Sequence, residues 1–146
     1  MISNVLRIAL SITLICGAST VLAEAPQYAK ALICQTGPGV ATQWKDGVPV
    51  TERDKNEITF MFSELNQTKG TARIDGSAGS SSVTMIITQA GVTFMEIPPN
   101  GGFLVTTVFA NSDSSERLYR VADTRHNYLL GRVAVSQYYG MCIGKF

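Results

Sequence analysis

The run Val83-Thr84-Met85-Ile86-Ile87-Thr88, then Gln89-Ala90-Gly91, then Val92-Thr93-Phe94-Met95-Glu96-Ile97 decides the fold class. Two β-branched and apolar stretches flank a very short turn carrying glycine. That is the signature of an antiparallel hairpin. The stretches are too short for a helix, and their Val, Ile, Thr and Phe content favours a pleated surface.

The same punctuation continues on both sides. Pro98-Pro99-Asn100-Gly101-Gly102 stops the hairpin, Phe103 to Ala110 resumes it, and Asn111-Ser112-Asp113-Ser114-Ser115 stops it again. Arg117 to Ala122 and Tyr128 to Val135 flank an expected turn at Asp123 to Asn127, and Tyr138 to Gly144 follows. Upstream, Gly76-Ser77-Ala78-Gly79-Ser80-Ser81-Ser82 separates the hairpin from Thr71 to Asp75. Ile58 to Leu65 alternates Ile58, Phe60 and Phe62 against Thr59, Met61 and Ser63, ending at Asn66-Gln67-Thr68-Lys69-Gly70. Ala29 to Gln35 is the first apolar run. Thr36 to Asn56 reads as irregular, with a Lys45-Asp46-Gly47 turn and room for a short helix at Thr51 to Lys55. Regular strand starts without helical periodicity indicate an all-β meander, barrel or sandwich. A small up-and-down, calycin-like barrel of about eight strands is the leading architecture, and a two-sheet sandwich the alternative. An outer-membrane barrel fits less well, because such strands need about 9–11 residues and these runs are mostly shorter.

Residues 1–23 read as a secretory signal peptide. Arg7 charges the n-region, Ile8 to Gly17 is apolar, and Val21-Leu22-Ala23 supplies a cleavage site. Ser11, Thr13 and Gly17 interrupt the apolar stretch, which is shorter than a bilayer span needs. The remainder, 24–146, is one domain by length. Cleavage removes one of the 12 Lys and Arg residues and none of the 11 Asp and Glu, leaving a formally neutral chain. Broad electrostatic binding to nucleic acid or an anionic membrane has no support in that balance. The expected location is the periplasm or the exterior.

Of the three cysteines, Cys16 lies in the signal segment, leaving Cys34 and Cys142. An even pair in an oxidising compartment is expected to form a disulfide. It would join the first and last strands of a sheet that closes on itself, which also removes exposed edges.

Catalytic chemistry is weakly represented, so no enzyme activity, metal or cofactor is expected. His126 is the single histidine, no Gly-x-Ser-x-Gly occurs, and the serines cluster in turns. Asp75, Glu96, Asp113 and Asp123 form no visible pair in sequence. Met61, Met85 and Met95 read as core fillers more readily than copper ligands. Asn66-Gln67-Thr68 matches a glycosylation acceptor pattern, relevant only in a eukaryotic secretory pathway. Binding is the better expectation. The Gly/Ser segment, with Ser77, Gly79, Ser80 and Ser81, could enter a partner's cleft. Arg120, Arg132, Tyr138 and Tyr139 offer interface-type anchors. A small-ligand carrier is the alternative, its cavity lined by Phe60, Phe94, Phe103 and Phe109.

A β-rich exported domain with Cys34 in its first strand and Cys142 in its last resembles the small envelope inhibitors of C-type lysozyme of Gram-negative bacteria. The resemblance implies an eight-stranded barrel that inserts a loop into the lysozyme cleft, and a lysozyme-like hydrolase or other envelope protein as partner. That family places tyrosine two residues before its first cysteine, where this chain has Leu32. Its Ser-Gly loop is echoed loosely in Gly79-Ser80-Ser81, so no inhibitory residue is carried over. The stretch Ser136-Gln137-Tyr138-Tyr139-Gly140-Met141-Cys142 also resembles exported proteins of alphaproteobacteria, which implies a compartment and no mechanism.

Overall fold

The computed structural model describes residues 25–99, 101–110, 117–129 and 132–146. The signal segment, Asp113 and the Asn111 to Ser115 stop lie outside them. A 3-10 turn, Pro26–Tyr28, leads into ten strands: β1 (Ala31–Thr36), β2 (Gly39–Lys45), β3 (Val48–Asp54), β4 (Ile58–Asn66), β5 (Thr71–Gly76), β6 (Gly79–Thr88), β7 (Gly91–Glu96), β8 (Phe103–Phe109), β9 (Leu118–Leu129) and β10 (Arg132–Lys145). All pairings are antiparallel, and β1 pairs with both β4 and β10. Eight strands therefore close into a barrel, and the sandwich alternative is not formed. Strands β2 and β3 are additional to it.

Alternation along the strands sends one side chain in two to the interior. Leu32, Phe62, Phe94, Val92, Val108 and Val121 are fully buried there. Each such side chain contributes about 1.5–3 kcal/mol by leaving water. Phe62 and Phe94 stack with ring centroids 3.7 Å apart, and Phe60 meets Phe62 edge-on at 5.5 Å. Met85 belongs to this core, with Met61 and Met95 half-buried.

Cys34 and Cys142 are directly opposed on β1 and β10 and form a disulfide, both fully buried. It lies inside the barrel wall's closing seam, as the cysteine count anticipates.

Three local expectations are corrected. Thr36 to Asn56 is a β-hairpin, β2–β3, with no helix at Thr51 to Lys55. Its Lys45-Asp46-Gly47 turn does form: Asp46 and Gly47 both have positive φ, 53° and 77°, the mirror-image turn that suits strand twist. Asp123 to Asn127 is not a turn but the middle of β9. The Gly/Ser segment is a tight turn at Gly76 to Gly79, with Ser80, Ser81 and Ser82 inside β6. Strands β9 and β10, at 12 and 14 residues, are also longer than the apolar runs suggested.

The extra length has one cause. The C-terminal half of β10 pairs with β1, whereas residues 134–137 pair with β2. The hairpin β2–β3 thus prolongs the β1–β4 pair beyond the barrel rim, beside the prolonged β9–β10 hairpin. Where β10 passes from one partner to the next, Gly39 and Gly140 are required. A Cβ on Gly140 would lie 2.0 Å from the Gln35 carbonyl oxygen, and one on Gly39 2.1 Å from that of Gln137.

Candidate functional site

The barrel has an apolar half and a polar half. The 3-10 turn, Leu32, Val92, Val108 and the disulfide occupy the first. At the other end the inward positions of β7, β8, β9 and β10 carry Glu96, Thr106, Asp123, Arg125, Ser136 and Tyr138. Asp123 is 1% exposed. It accepts hydrogen bonds from the Thr106 hydroxyl and the Arg125 Nε, each at 2.7 Å. Pairing of this kind is what permits a carboxylate to be buried. Arg125 also lies 5.8 Å from the centre of the Tyr138 ring. The Tyr138 hydroxyl donates to Asp54 on β3 at 2.6 Å, tying the projecting hairpin to the barrel. That bond, with the Asn56 amide, holds the Asp54 carboxyl below its ordinary 3.8. Burial, then the same contact with Asp54, pushes the Tyr138 phenol above 10.0.

Above this network lies the barrel mouth, a recess of about 100 Å³. Ile58, Phe60, Ile74 and Leu104 form its apolar walls, the Gly76 to Gly79 turn its lip, and Glu96 and Arg125 its polar edge. Beneath it, between the phenylalanines and Asp123, the enclosed space is only about 10 Å³, about one water.

The expected site residues separate into three places. Ser77 and Gly79 lie at the mouth lip, and Ser81 points inward and donates to Glu96 at 2.5 Å. Ser80 points outward and, with Arg73, binds Asp75, whose carboxyl these contacts hold below 3.8. Tyr138 is interior and Arg132 exposed on the face continuous with the barrel's inside. Arg120 and Tyr139 are on the outer wall. There, with Phe109 and Met141, they surround a surface depression of about 520 Å³ floored by Val121 and Gly140.

The carrier cavity is not built as the sequence suggested. Phe60 and Phe94 fill the interior with Phe62, whereas Phe103 and Phe109 face outward. His126 is exposed on β9, edge-on to Phe103 at 6.3 Å, with Phe103 and Val135 opposite it on the two neighbouring strands. No group of three or more His, Cys, Asp or Glu able to hold a metal occurs among the described residues. None of the helices there is long and apolar enough to cross a membrane.

Sequence reading missed the conjunction of Glu96, Asp123 and Arg125. The three come from two strands far apart in the chain, and their only sequence signal is charge at inward positions. Comparison with protein-family models, curated proteins and solved structures finds no match.

Proposed function

We propose that the chain is an exported, non-enzymatic binding module of the Gram-negative envelope, cleaved after Ala23, whose partner is another envelope protein. The sharpest version is inhibition of a lysozyme-class peptidoglycan hydrolase. The supporting observation is the outer-wall depression of Phe109, Arg120, Tyr139 and Met141. Tyr139 is 58% exposed and Phe109 and Met141 each 37%, although all three are side chains that favour burial. Between the rim and Met141, Arg120 is the one charged side chain on the outer positions of β8, β9 and β10 among the described residues. The complementary partner presents an apolar side chain beside a carboxylate. Tyr and Arg together are typical energetic centres of such contacts.

Peptidoglycan hydrolysis by a C-type lysozyme, measured with excess purified oxidised protein, tests this reading. Inhibition is expected, and Tyr139→Ala or Arg120→Glu weakens it at least tenfold, the scale of a truncated hot spot. Hydrolysis undiminished at excess protein refutes the hydrolase-inhibitor version.

A further inference from the structure

The mouth recess lies on a different part of the molecule and has its own chemistry. Glu96, Asp123 and Arg125 meet at this end of the barrel, and Asp54 of β3 reaches it through the Tyr138 hydroxyl. Arg125 is committed to Asp123 at 2.7 Å and covers the Tyr138 ring, so that pair is neutral overall. Glu96 is left with the Ser81 hydroxyl as its hydrogen-bond donor. Among the described residues no Lys, Arg or His pairs with it. A half-buried carboxylate without a cation is electrostatically incomplete. It borders a recess of about 100 Å³ that has Arg125 on the same polar edge and Ile58, Phe60, Ile74 and Leu104 as its apolar walls. The lip is a turn of glycine, serine and alanine, with nothing within 4 Å of a Cβ placed on Gly79, so the entrance is not obstructed there.

We propose that this recess binds a primary alkylammonium group, its chain lying along Ile58, Phe60, Ile74 and Leu104 and its charge on Glu96. The volume admits a short unbranched chain and no fused ring system. Amphipathic cations of this type bury their methylenes while the head keeps polar contacts. The Glu96 oxygens supply one charge-assisted bond, stronger than a neutral one. The same chemistry occurs in a lysine side chain of a partner and in a free diamine.

Titration of the oxidised protein with n-butylammonium, followed by amide chemical shifts, tests the assignment. Saturable shifts at Gly76 to Gly79, Glu96 and Leu104 are expected. n-Butanol and n-butyrate shift them at least tenfold more weakly. Glu96→Gln keeps the shape and a hydrogen-bond acceptor for Ser81, and abolishes saturation. Leu104→Trp fills the recess without touching the charge and does the same. Cadaverine and a lysine-containing tripeptide then separate the two sources: the free diamine prevails if both termini bind, the peptide if one suffices. Absence of saturable shifts with butylammonium, or equal binding by Glu96→Gln, overturns the proposal.

Discussion

Replacing Cys34 and Cys142 together by alanine removes the one covalent link across the barrel seam. The half-cystines are 108 residues apart in sequence. Chain-entropy treatment of a loop that long gives about 4.8 kcal/mol, carried by restriction of the unfolded chain. Hydrogen bonding does not compensate, because β1 and β10 are paired in register with or without the link. Alanine also leaves two sulfur-sized voids among fully buried neighbours, which adds to the loss. Against a typical domain stability of about 5–15 kcal/mol, the change is a large fraction. With a urea slope of about 2 kcal/mol per molar, the midpoint falls by about 2 M or more. Urea titration of both proteins at one temperature, followed by tryptophan fluorescence and far-ultraviolet circular dichroism, measures it. The oxidised and reduced wild type give the same comparison without a substitution. A midpoint shift below about 0.5 M, equivalent to about 1 kcal/mol, would refute the reasoning.

Other expectations concern the polar half of the barrel. Arg125→Met strands the buried Asp123 carboxylate and costs about 3–5 kcal/mol, whereas Arg125→Met with Asp123→Leu recovers most of it. Chemical denaturation of the three variants and wild type checks this, and a double variant no better than the single contradicts it. Asp54 is held below 3.8 first by Tyr138. Its contribution is therefore complete above about pH 4 and is withdrawn as pH falls through the lowered value. Tyr138 is raised above 10.0 by burial and Asp54, so its contribution is present below about pH 10 and lost as pH climbs through the raised value. Tyr138→Phe flattens the acid limb of a plot of urea midpoint against pH, and superimposable acid limbs would show that the contact carries no stability.

The sequence discloses the barrel best where one face is buried and the other exposed. Phe60 and Phe62 alternate with Thr59, Met61 and Ser63, and that contrast is the period-2 signal itself. β2 and β3 lack it because neither of their faces lies against a core. Gln43, Trp44, Thr51, Glu52 and Arg53 are all exposed, so the stretch reads as irregular although it is fully paired. Asp123-Thr124-Arg125-His126-Asn127 misleads for another reason. Its inward residues are charged because they meet at a polar barrel end, and charge in a short segment imitates a turn. Ser80 to Ser82 misleads likewise, since Ser81 is inward but answers to Glu96 instead of to a hydrophobic neighbour. The cysteine pair is legible from count and compartment alone. The mouth recess is not, since Ile58, Ile74, Glu96, Leu104 and Arg125 converge only through strand register.

Strand β10 pairs with β1, β2 and β9 and follows all three in the chain, which sets an order of events. The meander β4 to β8 consists of neighbours in sequence and can assemble as it emerges. The seam cannot, because one edge of β1 has no partner until β10 exists. Contacts this distant in sequence are slow to form. Barrel closure is accordingly the late step of folding, and holding back β10 would hold back three ladders at once.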